Sequence, residues 1–445
     1  MSGRKISFKS VIFISTILFS AGVLKASEKR PLPNINPGKK ESLSLKDLSL
    51  APLRAIFYPL YLITDYGIRK PIGSLATIAE KDKWYNHYVD FFSFGPHENE
   101  IGIFPNFSFE SGFRPSFGLH AYWRNFPKKR NLPQLWVNWG GDDYTAFRFQ
   151  NTYQLDQNKE KIIFNASKID RPDFIFFGTG PDTLEEAESR YSLDDTEISF
   201  SYQNNFLDES KIKLDLTYFN RKVTDGDCCS DLTLTEAVDQ GFFPTPSGFN
   251  SRYEVVAPQM KVGLGQRLTR PDEWYGGRIT TFAQYNKRID KSDASWTHYG
   301  GRLEGFRRID NRHRLLTFGL NAAFVDKQGS IAVPFHELPG STGKGELLGF
   351  KERRVVGKSL ISSEYKWPIW AYADGVLHYS VGNSFGQTLE GFDFGRLKQS
   401  IGFGIRQTAS FGPHFNFLVG LGSNTFDQGG DFNEQRLVIG GGSGF

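Results

Sequence analysis

The sequence has few of the residues that mark enzymes, metal sites or helical membrane proteins. Its 445 residues include two cysteines, two methionines and eight histidines. The histidines form no HExxH zinc motif, and no GxSxG nucleophile motif accompanies them. Beyond the N-terminus, no apolar run reaches the about 18 residues of a membrane-spanning helix. The net charge of +4 is small for this length and predicts no nucleic-acid partner. The sequence therefore predicts no metal, no cofactor and no enzymatic activity.

Aromatic residues and glycine are abundant instead, with 41 Phe, 18 Tyr and 46 Gly and a mean hydropathy of −0.40. In the second half, Ile401, Phe403 and Ile405 alternate with Gly402 and Gly404. A period of two predicts strands with one apolar face and one face toward water. A soluble β-sandwich would show the same alternation, so the pattern predicts strands without yet predicting a membrane.

The lengths of the connections separate these two alternatives. After the first two predicted hairpins, long polar connections alternate with short ones, as in outer-membrane barrels with an even number of strands. We therefore predict an all-β fold, a 16-stranded antiparallel transmembrane β-barrel over 100–445, located in the bacterial outer membrane with lipids as partners. The predicted strands are 101–110, 115–124, 133–140, 144–154, 160–168, 193–205, 210–220, 254–268, 276–287, 296–308, 313–326, 358–367, 370–381, 397–410, 415–422 and 434–445.

The first 90 residues differ from the rest of the chain. A basic start followed by a short apolar run predicts a signal peptide over 1–26. The Pro- and Lys-rich stretch 27–44 predicts an extended tether. The stretch 45–90 predicts a short helical segment that lies in the periplasm or plugs the barrel, and its apolar first half would also suit a membrane surface.

One stretch carries a family resemblance: residues 345–370, GELLGFKERRVVGKSLISSEYKWPIW. It resembles the (L/V)RGF loop and the following EYRWP strand of the BamA/TamA outer-membrane barrel superfamily, also called the bacterial surface antigen family. Gly349, Phe350 and Glu364 match, but Leu348 stands at the position of the motif arginine. The run FFGTGPD at 176–182 resembles the family's FYGxGxDS element.

The resemblance implies that this loop folds into the barrel lumen. In the family, the motif arginine pairs with carboxylates on the twelfth and thirteenth strands. Here Leu348 replaces the arginine, and by our alignment Ser380 replaces the aspartate of the thirteenth strand, so no unpaired lumen charge remains. We expect the loop to enter the lumen all the same, with Arg353 or Arg354 reaching Glu364. The alternative is that both arginines are solvated loop charges.

The resemblance also implies a function. It predicts insertion of outer-membrane proteins, or polypeptide translocation, through a lateral seam between Ile101–Phe109 and Gln435–Phe445, with nascent outer-membrane proteins as partners. Phe445 would be the terminal aromatic residue that assembly machinery recognises on barrel substrates, and the glycines at 440–442 would weaken the seam. The stretch before the first strand is too short for a complete POTRA docking domain, which predicts a branch without these domains.

Two other functions stay open at this point. One is a passive channel or structural barrel. The other is an outer-membrane lipase, for which His298 and His378 lie in predicted strands but no partner serine stands out.

The two cysteines are adjacent, Cys228 and Cys229, in a predicted external loop. In an oxidising compartment they could form a vicinal disulfide. A metal site with Asp225, Asp227 and Asp231 is the alternative.

Overall fold

The chain folds into a closed barrel of sixteen antiparallel strands. The computed structural model describes residues 61–70, 84–95 and 100–441, with scattered positions between 52 and 81. Within 100–441, the stretches 157–158, 208–209, 230, 267–274, 292, 310–313, 341–345, 352–356, 371–372, 387–388 and 408–414 lie outside the description. The predicted fold class is confirmed.

The strands follow one another around the barrel in chain order. They are β1 Ile101–Glu110, β2 Ser116–Trp123, β3 Asn131–Gly141, β4 Tyr144–Gln154, β5 Glu160–Phe176, β6 Ser189–Asn205, β7 Lys211–Asp225, β8 Arg252–Gln266, β9 Tyr275–Arg288, β10 Ser295–Arg308, β11 Leu315–Lys327, β12 Gly357–Trp370, β13 Ala373–Phe385, β14 Lys398–Gln407, β15 Phe415–Thr425 and β16 Phe432–Gly441.

Within the described residues, four predicted strand ends were wrong by four residues or more. Two of these are the end of the seventh strand, predicted at 220 and found at Asp225, and the end of the thirteenth, predicted at 381 and found at Phe385. The fifth strand was predicted to end at 168 and the sixth to begin at 193, but β5 continues to Phe176 and β6 starts at Ser189. The register shifts between Arg171 and Phe174, which accommodates Pro172, a residue with no N–H to give to the ladder. Pairing resumes beyond this irregularity, so β5 and β6 are the longest strands of the barrel.

The helices whose bounds fall within the described residues are short. A π-helical turn spans Ile63–Arg69, helix α1 spans Trp84–Phe92, and helix α2 spans Leu234–Asp239 in the β7–β8 connection. A two-residue strand, Ser93–Phe94, follows α1. None of the helices in the described ranges is long and apolar enough to cross a membrane.

The two faces of the wall follow the alternation seen in the sequence. Large apolar side chains such as Phe117, Leu303, Ile361 and Phe403 are exposed on the outward face. Their neighbours along each strand point inward and are mostly small or polar. This distribution is the one expected of a barrel wall that has lipid outside and a polar interior.

The long connections lie at one end of the barrel, which is termed the external end by the usual rule for outer-membrane barrels. They include 177–188, 226–251, 328–356 and 386–397. The inside of this end is filled by an apolar core to which the wall, α2 and the β11–β12 connection all contribute. Its buried members are Phe176, Tyr191, Leu193, Phe219, Val223, Leu234, Tyr253, Val255, Ala257, Trp296, Val325, Phe335 and Leu338.

Candidate lumen loop and lateral seam

The β11–β12 connection, residues 328–356, is termed the lumen loop below. It is attached to the β7–β8 side of the interior by a buried carboxylate. Glu337 accepts hydrogen bonds from Arg221 Nη1 of β7 at 2.7 Å and from the Tyr253 hydroxyl of β8 at 2.8 Å. Arg221 also pairs with Asp195 of β6, with 2.9 Å between Nε and Oδ1. All of these side chains are largely buried, so each charge depends on its partners for compensation.

The same connection reaches β13 further along the chain, and there it is held through its backbone. The carbonyl oxygen of Glu346 accepts from His378 Nε2 at 3.1 Å and from the Ser380 hydroxyl at 3.2 Å. The Glu346 carboxylate accepts from Asn321 Nδ2 of β11 at 2.7 Å. Both β13 side chains are fully buried, so these bonds form away from bulk water.

The next residues bind β14 and β16, again through main-chain groups. The N–H of Gly349 donates to Ser400 Oγ of β14 at 2.7 Å. The carbonyl oxygen of Phe350 accepts from Arg436 Nη1 of β16 at 3.0 Å. The Phe350 ring is fully buried. Main-chain bonds therefore fix the conformation of this part of the loop on the wall.

Glycines of the wall make room for Leu348–Phe350. The side chain of Leu348 lies against Gly402 of β14, and its carbonyl lies against Gly420 of β15. The Phe350 ring lies against Gly422 of β15. Gly349 is so close to the backbone of Leu421 that a Cβ at this position would contact main-chain atoms. The loop therefore approaches the wall more closely than any larger residue at 349 would allow.

A third contact ties the loop to the β5–β6 connection. Lys351 Nζ lies 2.6 Å from both carboxylate oxygens of Glu188. Glu188 in turn pairs with Arg190 of β6 at 3.1 Å, and Arg190 pairs with Asp231 at 2.5 Å. The described parts of the loop thus contact β6–β8 and β13–β16, which face each other across the interior.

The structure describes some of the predicted site residues and leaves others outside the described ranges. Leu348, Gly349 and Phe350 lie together on β14–β16, and Ser380 contributes a hydroxyl to the loop backbone. Glu364 is paired within the wall, with Lys366 Nζ at 2.9 Å, Arg406 Nη1 at 3.1 Å and His378 Nδ1 at 3.5 Å. Arg353, Arg354 and Phe445 lie outside the described residues, so their predicted roles stay predictions.

Sequence reasoning missed His378, Ser400, Arg436 and Glu337 as loop contacts. His378 was considered only for a lipase site. Alternation alone places His378 and Ser400 on the inward face, but it does not show which loop residue they meet. That information depends on the barrel's register and on the path of the loop.

The seam that closes the barrel joins β16 to β1. Within the described residues, β16 pairs with β1 only at Val438–Gly440, opposite Ser108–Glu110. By comparison, β6 and β7 pair over fifteen residues. Gly440 has a φ of +137°, a conformation that favours glycine, and it lies against the Phe107 carbonyl.

Side chains reinforce the seam at its external end. Arg436 Nε donates to Glu110 Oε1 at 2.8 Å, while the same guanidinium binds the Phe350 carbonyl. The Ser111 N–H donates to the Leu437 carbonyl at 2.8 Å. Arg436 thus joins β16, β1 and the lumen loop in one contact.

The periplasmic end of the β1 edge has a different neighbour. Ser93 pairs with Gly102, and Phe94 pairs with Ile101. Helix α1, just before this strand, packs on inward-facing aromatic side chains of β1 and β2. The buried contacts join Tyr88, Val89 and Phe92 of α1 with Phe104 and Tyr122.

Cys228 and Cys229 form a vicinal disulfide in the β7–β8 connection. In the part of the chain that the structure describes, no group of His, Cys, Asp and Glu side chains is arranged to hold a metal ion.

Comparison with known proteins supports the fold. No family model matches the chain, and no curated protein matches it. Among solved structures, BamA from Haemophilus ducreyi lacking POTRA domains 1–3 has a TM-score of 0.52 and 13% identity, over 77% of this chain and 70% of that chain. CdiB from Acinetobacter baumannii has a TM-score of 0.46 and 11% identity, over 77% of this chain and 60% of that chain. At 13% identity the likeness to BamA shows the fold alone, which is that of an outer-membrane β-barrel.

Proposed function

We propose that this protein inserts outer-membrane proteins, or translocates polypeptides, in the bacterial outer membrane, using the β16–β1 seam as a lateral gate. The observation that carries the proposal is the three-residue pairing of Val438–Gly440 with Ser108–Glu110 in the described part of the seam. The edge of a strand presents N–H and C=O groups with which another extended segment can pair.

The lumen loop supports this function by closing the interior while the seam works. It contacts opposite walls, at Glu337 and at Leu347–Phe350. Its link to the seam is Arg436, which binds both the Phe350 carbonyl and Glu110. In the proposed mechanism, a shift of the loop removes one partner of Arg436 and thereby weakens the seam.

The test is a reversible lock across the seam. The pair Phe109→Cys and Ile439→Cys replaces directly opposed residues of β1 and β16. The matched control, Leu119→Cys with Val137→Cys, bridges β2 and β3. In liposomes that receive an unfolded outer-membrane protein, the oxidised seam variant should lose assisted insertion and regain it on reduction, while the control stays active. Equal activity of the oxidised and reduced seam variant would contradict the proposal.

One observation favours a second candidate, an anion-conducting channel. Lys161, Lys213 and Lys261 lie in one inward cross-strand row near the short turns, with Lys213 directly opposite Lys261. Such a row concentrates anions at a pore mouth. An anion channel should give a steady anion-selective current in planar bilayers. A barrel that inserts or translocates polypeptides should be nearly closed and give little current.

A further inference from the structure

The strand Ser93–Phe94 lies on the seam edge of β1. Its partners Gly102 and Ile101 are already paired with Tyr122 and Trp123 of β2 along their other edge. Because a strand has only two edges, Ser93–Phe94 must occupy the side of β1 that faces β16. It therefore adds a strand to the same edge that the seam uses.

Helix α1 holds this strand in place from inside the barrel mouth. The rings of Tyr88 and Phe92 lie 6.0 and 5.6 Å from the ring of Phe104, and Val89 is buried beside them. Gly95, with a φ of +111°, lets the chain reverse direction before β1. The unit Trp84–Phe94 is termed the latch below.

In the described residues, the attachment of the latch is small. Its strand pairs over two residues, and Phe91 and Phe94 are exposed by 74% and 54%. Two-residue pairing supplies little stability by itself, so α1 contributes most of the attachment. A segment held in this way can leave its site without unfolding the barrel.

We propose that the latch is the resident occupant of the periplasmic half of the seam edge, and that an incoming strand must displace it. This inference rests on the proposed function, since it concerns the same gate. The latch restricts access to β1 until a longer strand competes for the same backbone groups.

The side chains around the latch define the strand that can replace it. Phe94 and its partner Ile101 lie on the outward face with Ile103, which is also exposed. Ser93 lies inward opposite Gly102, where the Tyr122 and Phe104 rings leave little room. The partner is therefore an extended segment with apolar residues toward lipid and small residues toward the lumen.

The chain's own last strand provides a probe with this pattern. A peptide with the sequence of residues 432–445, FNEQRLVIGGGSGF, contains the residues that pair with β1 in the structure. Phe94→Cys with Ile101→Cys fixes the latch when oxidised. Ile103→Cys with Ala121→Cys bridges β1 and β2 and leaves the seam edge free.

Peptide binding to the full-length barrel in detergent is the first readout. The oxidised latch variant should bind the peptide at least about tenfold more weakly than its reduced form, because only the open fraction is competent. The β1–β2 control should bind equally in both states. Equal binding by the oxidised and reduced latch variant would overturn the inference.

Thiol labelling is the second readout, and it separates this inference from the proposed function. The buried Val89→Cys should react with a maleimide in the folded barrel, and faster when the peptide is present. The matched buried position Ala146→Cys in β4 should stay protected. If the peptide binds to neither redox state, the proposed gate fails, while labelling of Val89→Cys still supports a latch that opens. If Val89→Cys were as protected from maleimide as Ala146→Cys, the inference that the latch opens would be overturned.

Discussion

Two sides of this barrel are closed in different ways. On one side, β6 and β7 pair over fifteen residues, and an apolar core packs behind this ladder. On the other side, β16 meets β1 over three described residues, and Arg436 supports the contact from the interior. The β6–β7 ladder distributes its stability over many backbone bonds, whereas the described part of the seam has three residue pairs and the bonds of Arg436. If the seam is the proposed gate, it should open locally while the opposite wall stays folded.

The lumen loop shows the same contrast at its two attachments. Near the β6–β7 ladder, Glu337 is held by buried charged and phenolic side chains. Near the seam, Glu346, Gly349 and Phe350 are held through main-chain groups. Single substitutions should therefore have larger effects on stability at the first attachment than at the second.

The largest expected effect is that of Arg221→Ala. It leaves Glu337 and Asp195 largely buried without their main cation, at a cost of about 3–5 kcal/mol. The melting temperature of the purified barrel should fall clearly. Arg252→Ala is the control, because its exposed pair with Asp194 should contribute only about 0–1 kcal/mol. Equal shifts for the two variants would contradict the role of the Glu337 attachment.

Arg436→Gln tests the seam side of the comparison. It removes the charged bonds to Glu110 and to the Phe350 carbonyl, at an expected cost of about 1.5–3 kcal/mol. The effect should be local, so amide hydrogen exchange should accelerate at Val438–Gly440 and stay unchanged in β6. Arg396→Gln, which removes an exposed pair with Asp182, should change neither region. Faster exchange throughout the barrel would argue against a local gate.

Gly349→Ala tests the close approach of the loop to the wall. The added methyl group would contact the Leu421 backbone and displace the loop, at a cost of about 1–3 kcal/mol. Ion conductance in planar bilayers should rise. Gly305→Ala on β10 is the control, because no atom lies within 4 Å of a Cβ at that position. If neither variant conducts more ions than the unmodified barrel, the loop does not close the lumen.

The smallest expected effect is that of Ser380→Ala. Its hydroxyl shares the Glu346 carbonyl with His378, so one bond remains after the change. The expected cost is about 0.5–1.5 kcal/mol, and the double variant with His378→Gln should cost more than the sum of the single changes. Thermal unfolding of the four proteins in this cycle measures the coupling. Strict additivity would show that the two side chains do not share the carbonyl.

Much of the fold could be predicted from the sequence, because alternation and connection length are local patterns. The extension of β5 and β6 could not, since Pro172 interrupts the pattern while the partner strand carries the pairing past it. At the candidate site, Gly349 and Phe350 were found through the motif resemblance. Ser400 and Arg436 were not found in this way, because their roles depend on which part of the wall a loop distant in sequence contacts.

The most direct test of the central comparison is native-state hydrogen exchange of the unmodified barrel. With a local gate at the seam, the amides of Val438–Gly440 and Ser108–Glu110 should exchange through a local opening, at a free energy well below that of β6–β7. Denaturant should change the seam rates little, because a local opening exposes little new surface. Exchange of the seam amides at the same free energy as the Tyr191–Asn205 ladder, with the same denaturant dependence, would contradict it.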